Sequence, residues 1–487
     1  MLNEAQNACN QALWRAAELF RGSADPQVYQ YLIMAMLFLK YLTDVESDLI
    51  ALTDAPGATA DFVLPARASF DVLHKQSEHP GNGRRIDEAF KLLEGANQHK
   101  LDGVFQDIRF DANWLGDEAQ KDDTLRKLMQ CLSPIDLRPS QTRGQVSAGA
   151  AVEYLSKQVA MASARWGNEY LTPLEVCELM VNLMAPQDHE DLGDPACGTG
   201  QLLAKCGQWV RDHGESNRYT LNGQDKNGRT LMMAKLNLYL HGERALQLAV
   251  GDTLQSPRLL TSTGQLQRFD VVVSNPPISS SWDSISAEHD PFSRFARGIP
   301  PNSKADYAFI SHMLETLKPG TGRMAVLVPN GVLFRGGAEG KIREQLIEEN
   351  LIDAVISLPA KLLYSTGIPI ALMLLRKKKT DEHVLFVDAS RQFQPGKSHN
   401  SLGPDNIQWI VETCKRRQNV KGAVHLACIK EISSHGYSLN VPLYVSAAEE
   451  RDVVDLTEIR AERAALQAEL ASLEGRWAQC LREARHV

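Results

Sequence analysis

The run Val271-Val-Val-Ser-Asn-Pro-Pro-Ile278 ends an apolar, β-branched stretch in one asparagine and two prolines. The stretch predicts a strand, and the prolines fix the backbone that leaves it, so the loop keeps carbonyl groups that no helix consumes. The Asn275 side-chain oxygen and the Pro276 carbonyl can both accept hydrogen bonds from one exocyclic amino group. Such bonding raises electron density on the nitrogen and orients its lone pair. A positioned amine then attacks a methyl donor directly, with no covalent intermediate. Taken alone, Asn-Pro-Pro is equally a turn signal.

Three earlier motifs stand in register with it. In Asp191-Leu-Gly-Asp-Pro-Ala-Cys-Gly-Thr-Gly-Gln-Leu-Leu203, Asp194 closes a short strand, Gly198 and Gly200 permit a tight turn, and a helix follows. In an open α/β sheet this first strand-to-helix turn is a nucleotide site, and a carboxylate at the strand end can bind a charged amine. A lone Gly-x-Gly reads equally as an ordinary turn. Asp225 follows by about one helix and one strand, the interval at which an acid reaches a ribose hydroxyl pair. Asp252, in Val250-Gly-Asp-Thr-Leu254, ends another apolar stretch and can accept from an adenine amino group or cap a turn. No Gly-x-x-x-x-Gly-Lys-Ser/Thr occurs, so a phosphate-cradling loop is not supported. A glycine turn with a ribose carboxylate and no pyrophosphate site suits S-adenosylmethionine better than a dinucleotide.

The elements that must carry these motifs fall into three groups. Up to about Arg165 apolar residues recur at helical spacing, as in Leu13, Ala16, Ala17, Phe20 and in Leu125, Leu128, Met129, Leu132. This predicts a helical domain over residues 1–165, interrupted by a loop at Glu78–Asp87. From Gly167 short apolar strands (around Val271–Ser274, Met324–Pro329, Ile352–Ser357 and Ile370–Leu375) alternate with amphipathic stretches. That pattern predicts an α/β domain over 166–446: a Rossmann-like, doubly wound, mostly parallel sheet with helices on both faces. From Ala447 to Val487 the chain is charged and free of proline. Leu456, Ile459, Leu466, Leu470, Leu473, Trp477 and Cys480 follow at three- and four-residue steps, in a seam that Arg463 breaks once. This is a coiled-coil-like helix that needs an apolar partner, either its own domain or another subunit.

With 487 residues two or three domains are expected, and 43% hydrophobic with 23% charged residues describes an ordinary globular chain. A net charge of −8 argues against coating nucleic acid by charge alone, though not against a local basic cleft or a DNA-binding partner. Eight scattered cysteines without a Cys-x-x-Cys pair fit a reducing cytosol, and thirteen histidines without His-Glu-x-x-His spacing suggest no metal site. The N-terminus lacks a signal-peptide pattern, and Tyr31–Leu39, closed by Lys40, is half the length of a membrane span. A cytoplasmic protein with no membrane contact is expected. Cys197 reads as a small packing residue, since a C5-cytosine mechanism needs its cysteine in the target loop. The basic runs Arg376–Lys379 and Lys415–Gly422 read as solvated faces, with phosphate contact as the alternative.

Asp194-Pro-Ala-Cys-Gly-Thr-Gly200 followed by Ser274-Asn-Pro-Pro277 resembles the amino-methyltransferases. Longer stretches, among them Leu13–Asp44, Tyr170–Val181, Pro300–Leu314, Gly331–Ala360 and Gly436–Val445, resemble the methylation subunit of type I restriction-modification systems. The resemblance runs in order over nearly the whole chain. It implies an adenine-specific DNA methyltransferase, moving a methyl group from S-adenosylmethionine to N6 of adenine. It also implies DNA and a specificity subunit as partners, two methylation subunits per specificity subunit, and a restriction subunit as a further associate.

Carried over by residue, the resemblance implies that Tyr170, Leu171, Thr172 and Pro173 flank the cofactor before the first strand. Asp194, Pro195, Ala196, Gly198, Thr199, Gly200 and Gln201 would form the glycine turn, Asp225 the ribose acid, and Asp252, Thr253 and Leu254 the adenine side. Asn275 would be shared with the target loop, where Pro276, Pro277 and Ile278 complete the catalytic group. Three positions depart from the family pattern: Leu171 for Tyr, Ile278 for Phe or Tyr, and Leu363 for Phe before Tyr364. A base taken out of the stack is usually held between aromatic faces, so Tyr364 and Trp282 are alternative faces. Two other functions stay open: an Asn-Pro-Pro methyltransferase acting on RNA or protein glutamine, and a subunit that keeps the fold with weakened catalysis.

Overall fold

The structure is a computed structural model that describes residues 4–53, 61–142, 144–162, 171–364, 366–445 and 456–484. Its first part is helical: α1 (Glu4–Glu18), α2 (Pro26–Thr53), α3 (Phe70–Lys75), α4 (Asn82–Ala96), α5 (Gln98–Leu101), α6 (Glu118–Leu132), α7 (Pro139–Thr142) and α8 (Ala148–Ala162). The apolar stretch Tyr31–Leu39 lies in α2 and is buried along its whole length. Helical spacing explains the rest of this core, since Leu13, Ala16, Phe20, Leu125, Leu128, Met129 and Leu132 are all fully buried.

The loop expected at Glu78–Asp87 is shorter than its Gly, Pro and Asn content implies. Helix α4 begins at Asn82, because Gly81 takes a left-handed φ of 88°. The Asp122 carboxylate of α6 accepts the Gly81 and Asn82 backbone N–H groups at 2.7–3.1 Å, capping the helix from outside its own sequence.

The second part is a nine-stranded sheet: β1 (Asp191–Asp194), β2 (Thr220–Asp225), β3 (Leu246–Val250), β4 (Val271–Ser274), β5 (Arg323–Pro329), β6 (Ile352–Ser357), β7 (Ile370–Arg376), β8 (His383–Asp388) and β9 (Val424–Cys428). The spatial order is β3-β2-β1-β4-β5-β7-β6-β8-β9. Pairing is parallel except where β7 meets β5 and β6 and where β9 meets β8. Around the sheet run α9 (Leu174–Met184), α10 (Gln201–His213), α11 (Gly228–Leu240), α12 (Asp306–Glu315), α13 (Gly337–Glu348), α14 (Pro404–Arg416) and α15 (Ile429–Ser434).

Strand periodicity divides the core into two layers. In β5, Ala325 and Leu327 pack with α9, α10 and α14, while Met324, Val326 and Val328 pack with α12 and α13. Both faces are therefore covered, which is why the strands read as continuous apolar runs. The strand order reverses between β1 and β4, and that switch point opens a crevice at the carboxyl ends of the strands.

The helical part is not a separate globule. Met233, Leu236, Tyr239 and Leu240 of α11 belong to its apolar core. The Tyr239 hydroxyl donates to the Lys100 carbonyl at 3.0 Å, and Glu153 of α8 receives both Lys205 (2.8 Å) and His241 (3.1 Å). At the far end, α16 (Leu456–Ala484) is a single helix. Its seam residues Leu466, Leu470, Leu473 and Trp477 are between 50% and 68% exposed, so they do not pack back on the chain's own sheet. The residues joining it to the sheet, 446–455, lie outside the described ones. Among the described residues, no helix is long and apolar enough to cross a membrane.

Close approach of α8 to α11 depends on Gly149, where an added Cβ would lie 2.6 Å from the His241 ring. Gly149→Leu should therefore overpack this junction and cost about 1–3 kcal/mol. Urea unfolding would measure it, and an unchanged midpoint would show that the two parts do not hold each other.

Candidate active site

The crevice at the switch point contains a cavity of about 190 Å³. The turn after β1 forms its floor. Gly198 and Gly200 adopt φ of 52° and 75°, left-handed values that suit glycine, and a Cβ on Gly200 would press on Ala234 of α11 at 3.2 Å. Asp194 is 2% exposed, and its Oδ1 accepts both the Ala196 N–H (3.0 Å) and the Ser274 hydroxyl (2.8 Å). The other oxygen, Oδ2, has no donor among the described residues. Burial pushes the Asp194 carboxyl up to about 7, against the two hydrogen bonds that favour its charge, and the Asp225 carboxylate adds to the rise.

Asp225, at the end of β2, lies on the same wall. Its two oxygens accept the backbone N–H groups of Gly198 (3.1 Å) and Asn227 (2.8 Å), and burial raises its pKa as well. Asp252 faces the cavity while its Oδ1 accepts the Leu254 and Gln255 N–H groups at 2.9 and 3.2 Å. It is thus a turn cap and a wall residue at once. The Thr253 hydroxyl donates to the Pro195 carbonyl at 2.5 Å, fastening this turn to the glycine turn.

The Asn275 loop closes the remaining side. Thr172 Oγ1 accepts the Asn275 Nδ2 donor at 3.0 Å, which orients the amide and leaves the buried Oδ1 without a hydrogen-bond partner among the described residues. Two more buried polar atoms lack partners here, Thr199 Oγ1 and Gln201 Nε2. Natural proteins leave few such groups unsatisfied; Asn275 and Gln201 line the cavity, while Thr199 sits beside it in the glycine turn. The loop itself is pinned from behind. Ser279, at a left-handed φ of 52°, donates its N–H to Asp306 Oδ1 (3.0 Å), and Asp306 is in turn paired with Arg335 at 2.5 Å.

The structure brings together Thr172, Pro195, Ala196, Gly198, Gln201, Leu254 and Pro277 with the three aspartates and Asn275 around this cavity. Leu171, Pro173, Thr199, Gly200, Pro276 and Ile278 are adjacent in the chain but do not line it. Tyr170 lies outside the described residues. Ile278 is half-buried against the apolar cluster that contains Leu363, and Leu363 and Tyr364 are themselves buried. Of the two alternative aromatic faces, Trp282 lines the cavity, with its indole N–H on the Pro301 carbonyl (3.0 Å) and its ring 5.1 Å from Phe295. Tyr364 instead meets His399 edge-on at 5.7 Å, away from the cavity lining.

Sequence reasoning missed Arg294. It is 3% exposed, pairs with Asp290 at 2.7 Å, and donates to the carbonyls of Thr253 (2.8 Å) and Leu254 (2.7 Å). It also approaches His312 Nδ1 at 3.2 Å, and burial together with the Arg294 charge drives the His312 pKa down to about 3. The imidazole is therefore neutral and can accept. The only sequence signal was the i, i+4 spacing of Asp290 and Arg294 between two phenylalanines.

Comparison with known proteins gives this arrangement its context. The N-6 DNA Methylase family model matches residues 145–453, and the HsdM N-terminal domain model matches residues 9–132. The chain is 32% identical over 405 residues to the methylase subunit of the type I restriction enzyme MjaVIII of Methanocaldococcus jannaschii, covering 80% of this chain and 68% of that one. The MjaVII methylase subunit of the same organism is 33% identical over 323 residues, 63% of this chain and 54% of its own length. The chain thus spans about half of that relative. Its fold matches the crystal structure of the methyltransferase subunit of a type I restriction-modification system from Streptococcus thermophilus, with a TM-score of 0.80 and 29% identity. That match covers 90% of this chain and 99% of that one. The chain belongs to the N-6 DNA methylase family, and its relatives there are methylase subunits of type I restriction enzymes.

Proposed function

We propose that the chain is the methylation subunit of a type I restriction-modification complex, moving a methyl group from S-adenosylmethionine to N6 of adenine in DNA. The observation that carries this reading is the buried, unpartnered Oδ1 of Asn275, held in place by the bond from its amide nitrogen to Thr172. An acceptor with no partner in the protein suits an amino group that arrives with the substrate.

The residues of the cavity fit the cofactor. The free oxygen of Asp194 suits its ammonium, the Asp225 carboxylate retains lone pairs for ribose hydroxyls, and the unpartnered Gln201 amide offers a donor. Asp252, Thr253 and Leu254 make the adenine side. When bound, S-adenosylmethionine supplies a methyl group on a positively charged sulfur. Asn275 Oδ1 and the Pro276 carbonyl would accept hydrogen bonds from the two amine protons and leave the nitrogen lone pair free to attack, and the proton that the nitrogen sheds on methylation would pass from these acceptors to solvent. Trp282 offers the aromatic face that Ile278 does not, and base–aromatic contacts are worth about 1–3 kcal/mol.

Residues 1–165 are read as a helical domain, 166–446 as the catalytic domain, and 447–487 as a helix for subunit contact. Sequence specificity is assigned to a partner subunit, which the likeness to methylase subunits of type I restriction enzymes supports. The exposed leucines of α16 suit such a contact.

Three outcomes are expected. Asn275→Ala should lower methylation by about 100-fold or more while leaving cofactor affinity within a few-fold. Mass spectrometry of N6-methyladenine, with the specificity subunit present, measures the first. A large loss of cofactor binding in this variant would show the loop to be misassigned.

Asp194 gives the second. Its folded pKa is raised to about 7, so below that pH the carboxyl must lose a proton before it can pair with the cofactor ammonium. Cofactor affinity should then fall about five- to ten-fold from pH 8 to pH 6. Asp194→Asn should bind more weakly with a flat profile, and a wild type as flat as the variant would refute the assignment.

Arg294→Gln gives the third. It leaves Asp290 without its partner and should cost about 3–5 kcal/mol of stability. Because a loosened turn binds cofactor more weakly, saturating cofactor should stabilise the variant less than the wild type, so the loss should be larger with cofactor than without it. Melting curves with and without cofactor test this, and an equal loss in both would place Arg294 outside the cofactor turn.

A further inference from the structure

The two basic runs of the sequence, Arg376–Lys379 and Lys415–Gly422, meet in space. They flank a second cavity, of about 330 Å³, whose charged walls are Arg376, Lys378, Lys379, Lys415 and Arg417 against Asp353 and Asp381. This cavity lies where β7 ends and where β6 and β8 begin. Because β6 runs parallel to β5 and β4, that is the edge of the sheet opposite the Asn275 crevice, about 20 Å away along the strands.

We propose that this cavity is a binding site for a phosphate-bearing anion, separate from the methyl-transfer crevice. The carboxylates present do not balance its charge. Asp353 is engaged on both oxygens, by Arg376 (2.7 Å) and by Arg417 (2.8 Å), and Asp381 accepts the His383 N–H at 2.8 Å with Arg417 farther off at 3.4 Å. Lys379 is held only by neutral oxygens, those of Asn350 (2.9 Å), Ile352 (2.8 Å) and His383 (2.7 Å). Burial pulls its pKa down to about 8, the behaviour of an ammonium short of countercharge.

Lys378 and Lys415 are exposed at the rim and make no ion pair among the described residues. Three lysines and two arginine forks around one concavity suit phosphate oxygens, and the positive excess stands out in a chain of net charge −8. The phosphate has two sources, a free anion or a nucleic-acid backbone. The distance from the Asn275 crevice favours the free anion, since a duplex seated there lies at the other edge of the sheet.

The test is calorimetric titration of the full-length chain with inorganic pyrophosphate, in wild type and in the Lys378→Gln/Lys415→Gln double variant. S-adenosylmethionine titration serves as a control for folding. Wild type should bind pyrophosphate with a Kd below about 1 mM, and the double variant should lose about ten-fold or more with cofactor affinity unchanged. Undetectable pyrophosphate binding, or equal binding in the variant, overturns the proposal. If a short duplex displaces pyrophosphate, the site takes backbone phosphates. If it does not, the site takes a free anion.

Discussion

The hydrogen bond from the Ser274 hydroxyl to Asp194 Oδ1, 2.8 Å long, joins the carboxyl ends of β1 and β4 at the place where the sheet reverses its winding. The glycine turn and the Asn275 loop both hang from those two strand ends. One leads into the glycine turn and the other into Asn275-Pro276-Pro277. The strands are in direct register, Leu192 beside Val271 and Gly193 beside Val272, so the two loops cannot drift independently. The same bond explains the electrostatics of the site. A carboxyl at this depth loses its hydration, and two donors on one oxygen offset only part of that loss, so its pKa remains near neutrality.

Around that joint, a second set of contacts is made by the segment that follows the Asn275 loop. Arg294 reaches the carbonyls of the Asp252 turn, Asp306 takes the N–H of Ser279, and Trp282 lies across the cavity with its ring against Phe295. One buried arginine thereby fastens the segment that follows the Asn275 loop to the turn carrying Asp252. Its charge is matched by Asp290 and by a histidine held neutral, so a guanidinium is sustained in an interior that would otherwise reject it. Rigid support of this kind is what a site without a covalent intermediate requires, because positioning supplies most of its effect.

The sheet also separates its two ends chemically. The carboxyl edge gathers acids and unpartnered polar atoms, whereas the amino edge near β6 and β8 gathers cations. A strand only six or seven residues long keeps these environments about 20 Å apart. Opposite charge preferences can therefore coexist in one domain of modest size.

The architecture was legible in the sequence because it rests on local periodicity. Continuous apolar runs give strands covered on both faces, 3.6-residue spacing gives the helices, and Gly198 and Gly200 mark a turn that other residues enter at a steric cost. Asn275 and the aspartates were legible because their residue types sit at strand ends. Tertiary structure decided the rest, since it depends on contacts between residues distant in the chain. Asp122 starts α4 from forty residues away, and Trp282 rather than Tyr364 reaches the crevice. Leu363 is core, Arg294 braces the turn carrying Asp252, and two basic runs that look like solvated faces converge on one cavity. Periodicity reports which side of an element is buried, but not which distant group meets it there. That is settled only when the sheet order brings the strand ends together.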